Sequence, residues 1–141
     1  MPLPRELLSR YLSRGQLLLQ RYQLDSMVGE GSYGAIYSAI DQLNGDVVAV
    51  KALPPNQEMA SVTALGRFKR EMSIIQSLVH PNVVTLFDYG ETEQGVPFMV
   101  MEFIEGETLD RCVRNQPMDY EDGLDVLCQI ASALGAAHKL G

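Results

Sequence analysis

The sequence predicts an α+β fold, a five-stranded antiparallel sheet with one helix inserted between its third and fourth strands and further helices after the fifth. Three observations carry this reading. Runs with the alternation and β-branched content of strands lie at 22–28, 34–41 and 46–53, separated only by short turns, which makes them antiparallel neighbours. Between residues 61 and 78 apolar side chains return every three or four positions. Beyond residue 104 helical spacing takes over from alternation.

Taken in order, residues 3–14 place Leu3, Leu7, Leu8, Tyr11 and Leu12 on one helical face, with Arg5, Arg10 and Arg14 elsewhere, until Gly15 interrupts. A basic amphipathic segment of this kind either packs on its own domain or lies on a membrane surface. Residues 1–21 therefore read as a partly helical N-terminal extension, 22–104 as the sheet domain with its helix, and 105–141 as a helical part. In the turn Leu43-Asn44-Gly45-Asp46, the Asn-Gly pair supplies the positive φ of a tight hairpin. Pro54-Pro55-Asn56 breaks the sheet, and Val62, Leu65, Phe68, Met72, Ile75 and Leu78 line the next helix. That helix stops before His80-Pro81-Asn82, because proline steers His80 away from helical angles. Residues 83–89 and 97–104 read as two more strands joined by the polar turn 90–95. Residues 108–115 form a short helix. Asp119 is the expected N-cap of a longer one with Leu124, Leu127, Cys128, Ala131 and Leu134 in a single stripe.

Composition narrows the classes. Hydrophobic residues make up 46% and charged residues 21% of 141, ordinary for one globular domain of modest core. The net charge of −7 is uneven: residues 1–21 hold four arginines against one glutamate, leaving about −10 on the rest. An acidic body argues against nucleic acid as a partner. Cys112 and Cys128 have neither C-x-x-C spacing nor neighbouring histidines, so the expectation is buried free thiols and no metal site. No apolar run reaches the roughly 18 residues of a transmembrane helix, and Met1 to Leu8 lacks the apolar core of a signal peptide. A cytoplasmic location is expected.

The stretch Val28-Gly29-Glu30-Gly31-Ser32-Tyr33-Gly34-Ala35-Ile36 carries a G-x-G-x-x-G pattern, a weak signal alone. A dinucleotide-binding fingerprint needs these glycines to open a helix with an acid about twenty residues on; here they lie between strands, and the distant position falls at Ala49-Val50-Lys51. A P-loop needs Gly-Lys, which the chain lacks. With Val48-Ala49-Val50-Lys51 following, the pattern resembles the glycine-rich loop and V-A-I-K strand of protein kinases. Phe68-Lys69-Arg70-Glu71 resembles the family's helix C, His80-Pro81-Asn82-Val83-Val84 the turn after it, and Met99-Val100-Met101-Glu102-Phe103-Ile104 the strand entering the hinge. From Gly15 to Gly141 the order of elements is similar to a kinase small lobe followed by the first large-lobe helices, in particular that of bacterial Hanks-type serine/threonine kinases.

The resemblance implies ATP as cofactor. Gly29, Glu30, Gly31, Ser32, Tyr33 and Gly34 would cradle its phosphates, with Ala35 at the end of the loop. Val28, Ile36 and Ala49 would cover the adenine, Met101 would be the gatekeeper, and the backbone of Glu102 and Ile104 would read the base edge. Lys51 would contact the phosphates, paired with Glu71; the bland alternatives are a snorkelling lysine and an exposed helix glutamate. Valine and alanine in strands also need no ligand to explain them. Ile75 and Leu86 match the upper members of the apolar stack that links kinase lobes.

A complete kinase domain needs roughly 250 residues, so the chain is expected to hold part of one. The segment Ala136-Ala137-His138-Lys139-Leu140-Gly141 resembles the end of the helix before the catalytic loop, and the catalytic aspartate, the Mg²⁺ ligands and the activation segment are missing with that loop. Mg²⁺ and a protein serine or threonine substrate are therefore expected only for a full-length enzyme, and this chain alone is expected to be inactive. The alternatives are a non-catalytic nucleotide-binding or interaction module, or one half of a split kinase. In each case a large lobe or another chain would cover Leu124, Leu127, Ala131 and Leu134.

Overall fold

The computed structural model describes residues 12–31, 34–53 and 62–140. They form strands β1 (Leu17–Leu18), β2 (Tyr22–Gly31), β3 (Gly34–Asp41) and β4 (Val47–Ala52), helix α1 (Val62–Gln76), strands β5 (Leu86–Glu91) and β6 (Pro97–Glu102), and helices α2 (Leu109–Asn115) and α3 (Tyr120–His138). The expected elements from residue 22 onward are all present, with ends moved by a few residues. Of the helix expected over 3–14, residues 3–11 lie outside the described residues, as do Pro54, Pro55, Asn56 and Ser61. Residues 12–14 are not helical: Leu12 is buried in the core, and Ser13 and Arg14 begin a turn closed by the Gln16 N–H to the Ser13 carbonyl at 3.0 Å.

The chain divides into two compact units. The first comprises the described residues up to Ser77 together with Leu86–Phe103, the second Leu78–Thr85 with the described residues from Ile104 on. In the first, all strands join one antiparallel sheet in the order β1-β2-β3-β4-β6-β5. The sheet is six-stranded rather than five-stranded because Leu17 and Leu18 pair with Gln23 and Tyr22. Two residues are too few to show alternation, so periodicity could not reveal them. One face of the sheet is the core: Tyr22, Leu24, Ala35, Tyr37, Ala39, Val48, Val50, Ala52, Phe98 and Val100 come from alternate positions of the strands, and Leu12 and Leu18 join them from the N-terminal stretch. α1 packs on β5, where Met72 and Leu86 are buried together and the Gln76 side-chain amide donates to the Phe87 carbonyl at 2.6 Å. Ile75, one turn further along α1 than the buried Met72, is 43% exposed.

Two turns differ in detail from their sequence signals. Asn44-Gly45 does not form a two-residue hairpin loop. Only Gly45 has positive φ, +80°, in a four-residue loop held by the Gly45 N–H to the Asp41 carbonyl at 2.8 Å and the Asp41 N–H to the Asp46 carbonyl at 2.9 Å. The left-handed pair lies instead at Leu19 and Gln20, φ +50° and +53°, which turn β1 into β2 although neither residue favours that region.

In the second unit, Thr108 caps α2 by accepting from the Arg111 N–H at 3.4 Å. Asp119 occupies the N-cap position of α3, but its side chain makes no capping hydrogen bond among the described residues. The 78–85 segment is tied to α3 by His80 Nε2 with Ser132 Oγ and by Asn82 Nδ2 with Gln129 Oε1, both at 3.0 Å. His80 Nδ1 accepts from the Asn82 N–H at 3.1 Å, so the proton sits on Nε2 and is donated to Ser132. Neither α2 nor α3 buries a residue, and Leu124, Leu127 and Leu134 are 48%, 63% and 52% exposed. Cys112 and Cys128 are accordingly exposed free thiols, not the buried ones expected, because the helices that carry them have no cover among the described residues. No helix among the described residues is long and apolar enough to cross a membrane.

The strained turn makes the first test. Replacing exposed Gln20 by glycine removes a left-handed penalty larger than the chain entropy it adds, and the expected gain is about 0.5–1 kcal/mol in urea denaturation.

Candidate functional site

Strand register decides which candidate residues can act together. Ile36 lies opposite Lys51 and Ser38 opposite Ala49 between β3 and β4; Lys51 lies opposite Met99 and Ala49 opposite Met101 between β4 and β6. Side chains alternate between faces along a strand, so all six stand on the face away from the core. Gly29 joins them, paired with Ile36. Val28 falls at an irregularity of β2 and is 51% exposed. Ala35 is different: it pairs with Ala52 and points into the core, leaving only its backbone for a ligand. Glu30 is exposed opposite Ala35, and Gly31 pairs with Gly34. Ser32 and Tyr33 lie outside the described residues. Met101 is half-buried and Glu102 exposed at the end of β6, while Ile104 belongs to the second unit and is 60% exposed.

The glycines do two jobs. A Cβ on Gly34, whose φ is +120°, would fall 2.0 Å from the Ala52 carbonyl oxygen, so only glycine lets β3 start this close to the end of β4. A Cβ on Gly29 would meet nothing within 4 Å. The backbone there is open to a ligand, as close approach of phosphate oxygens to a glycine chain requires.

Lys51 is half-buried and Glu71 exposed on α1. The pair anticipated between them is not formed: among the described residues neither side chain makes an ion pair or hydrogen bond. An exposed pair gains little against its ordering cost, so without an anion to share, both groups keep their water. The face thus presents an uncommitted cation, an open glycine backbone and the apolar side chains of Ile36 and Met101, with Ala49, only 7% exposed, between them in the strand order. These residues fit a phosphate-bearing ligand with a flat apolar base.

Sequence reasoning missed a charged cluster at the other end of the same hairpin. Arg21 donates to both carboxylate oxygens of buried Asp41, at 2.8 and 2.6 Å, and its guanidinium lies 4.0 Å from Asp88 and 4.9 Å from the centre of the Tyr22 ring. The Leu43 N–H also donates to Asp41, at 3.0 Å, and the Tyr22 hydroxyl to Asp88, at 2.9 Å. The hydrogen bond from Arg21, with that from Leu43, lowers the Asp41 pKa, and Arg21 is held charged in return. Burial, reinforced by the bond to Asp88, pushes Tyr22 up to about 12. A hollow of about 330 Å³ beside this cluster is lined by Asp46, Val47, Phe87 and Phe103 among others. Tyr22 and Asp41 face each other across β2 and β3, which strand register could have revealed; the arrival of Asp88 from β5 has no sequence signal.

A model of the protein kinase domain matches residues 22–141. Serine/threonine-protein kinase A of Synechocystis is 39% identical over 127 residues, covering 88% of this chain and 24% of that protein. The probable serine/threonine-protein kinase PknB of Lactococcus lactis is 34% identical over 129 residues, covering 90% and 20%. PrkC of Bacillus subtilis, also a serine/threonine-protein kinase, is 34% identical over 126 residues, covering 89% and 19%. The chain spans about a fifth of the length of these curated relatives. Among solved structures, the PknI kinase domain of Mycobacterium tuberculosis superposes with a TM-score of 0.80 at 24% identity, over 92% of this chain and 52% of that one. At that identity the likeness is one of fold.

Gly34→Ala should cost roughly 2–4 kcal/mol in chemical denaturation, from the clash and the positive φ together. The Tyr22 contribution has a pH signature with a definite sign. Its pKa is raised by folding, so the stabilisation is complete below its ordinary value of 10.0 and is lost as pH rises through about 12. Denaturation midpoints of the native chain should fall over that interval, and Tyr22→Phe should remove this part of the fall.

Proposed function

The chain belongs to the protein kinase domain family, alongside bacterial serine/threonine kinases, and on that premise we propose that the sheet face bearing Gly29, Ile36, Ala49 and Lys51 binds ATP. The observation that supports this best is the register, which puts the lysine, the apolar side chains and the open glycine on one face, though Gly29 and Lys51 are 22 residues apart in sequence.

The roles follow from chemistry. Val28, Ile36 and Ala49 would exclude water from the base, with Met101 at the inner end and the Glu102 backbone at its edge. The backbones of Gly29 and Gly31 would approach the phosphates, and Lys51 would meet their charge as a compact point cation. Anion binding would also give Lys51 a reason to draw in Glu71, which fixes the ammonium rather than adding stability. Bound ATP supplies a γ-phosphoryl group, which a full-length enzyme of this family would pass to a protein serine or threonine hydroxyl. The 141 residues contain neither the H-R-D nor the D-F-G tripeptide of that reaction, and among the described residues no group of three His, Cys, Asp or Glu side chains could hold a metal ion. The function proposed for this chain is therefore the nucleotide clamp, without phosphotransfer of its own. The exposed stripe of Leu124, Leu127, Ala131 and Leu134 favours a second component, a large lobe or a partner chain, covering α3.

Calorimetric titration of the chain with ATP tests this. Binding should be detectable, should weaken about ten- to a hundredfold in Lys51→Ala, the worth of a hydrogen bond to a charged group, and should occur without transfer of labelled phosphate to a protein acceptor. Absence of binding, or binding indifferent to Lys51→Ala, would overturn it.

A further inference from the structure

We propose that Ser38, acting through Ser26, is a positioning residue that sets the course of the glycine hairpin over the ligand face; the proposal deepens the ATP reading and rests on it. β2 does not run evenly against β3. Leu24 faces Ala39, Met27 faces Tyr37 and Gly29 faces Ile36, so β2 gains one residue on its partner between Leu24 and Met27 and another between Met27 and Gly29. The first gain is a β-bulge in which Asp25 and Ser26 together oppose Ser38. It has two effects. It brings Met27 to the same face as Leu24, where it packs against the core, and it bends the strand that goes on to carry Val28 and Gly29.

A bulge leaves a backbone group of the ladder unpaired, and here the Ser38 hydroxyl replaces the missing partner. Its oxygen accepts from the Ser26 N–H at 3.3 Å and lies 2.9 Å from the Ser26 Oγ, while its proton reaches the Ser26 carbonyl at 3.2 Å. The Ser26 hydroxyl has one proton and two acceptors in reach, Ser38 Oγ at 2.9 Å and Asp25 Oδ2 at 3.4 Å; given to the nearer, it fills the second acceptor position of Ser38, whose own proton goes to the Ser26 carbonyl. Ser38 is only 8% exposed, and an alanine there would take away the one hydroxyl that both the Ser26 amide and the Ser26 carbonyl bond. Ser38 also stands opposite Ala49 on the ligand face, within the same strand row as Met101. The clasp therefore fixes the root of the hairpin relative to the strand that carries Lys51.

The effect should fall on phosphates more than on the base, because the glycine tip lies beyond the bulge. In the 141-residue chain, Ser38→Ala should weaken ATP about fivefold while changing adenosine affinity less than about twofold, the scale of one modest hydrogen bond. Ser38→Thr, which keeps the hydroxyl, should restore the ATP-to-adenosine ratio, and Ser26→Ala, at an exposed position, should give a smaller loss in the same direction. Without any nucleotide, amide hydrogen exchange over residues 26–31 should quicken in Ser38→Ala. Equal weakening of ATP and adenosine, or unchanged exchange in the hairpin, would overturn the clasp as a positioning device. If the native chain binds neither ligand but the exchange still quickens, it is the ATP reading that fails, and the clasp stands only as a feature of the hairpin.

Discussion

The steric constraint on which the sheet depends is the approach of Gly34 to the Ala52 carbonyl oxygen, a gap with no room for one methyl group. It fixes where β3 begins against the end of β4, and the pairs Ile36 with Lys51 and Ser38 with Ala49 follow by counting. A slip of one residue would turn each side chain of β3 to the other face. Tyr37 would then leave the core, and Ile36 would leave the row that holds Lys51. The core has the same dependence, since Ala35, Tyr37 and Ala39 meet Ala52, Val50 and Val48 only in this register.

The sequence made legible whatever rests on repetition. Alternation located the five expected strands to within three residues at either end and helical spacing located α1, α2 and α3, because each pattern is read many times over within one element. Features carried by a single contact were not legible. β1 is two residues long, the turn at Leu19-Gln20 uses residues that avoid positive φ, and Asp119 has the right side chain for a cap it does not make. The thiols were misjudged for another reason: a cysteine on an apolar stripe is buried only if something covers the stripe, and spacing within one helix cannot show that. Of the candidate site, the motif spacing identified Gly29, Ile36, Ala49 and Lys51, which register brings together. It could not show that Ala35 turns inward, since alternation says which residues share a face and not which face is the core.

The charged residues of the first unit are used in two opposite ways. Arg21 and Asp41 satisfy each other in a two-pronged contact, with backbone and Asp88 taking up remaining capacity, so the cluster is closed and structural. Lys51 sits on the other face with its ammonium uncommitted among the described residues. A cation without a partner is costly to bury and cheap to leave at a half-exposed position, which suits a group that meets its counter-charge on a ligand. The Ser26–Ser38 contact lies between these two, satisfied within itself and adjacent to the open face.

The chain crosses between its two units three times, after Ser77, before Leu86 and after Phe103. The short 78–85 passage is claimed by the second unit, with His80 and Asn82 held by Ser132 and Gln129 of α3. A protease that cuts once after Phe103 would therefore not release two independent pieces. The N-terminal piece would keep the 78–85 passage and, with it, His80 and Asn82, the partners of Ser132 and Gln129 on the C-terminal piece. The two would be expected to travel together through a sizing column, parted in covalent structure but sharing one folded unit.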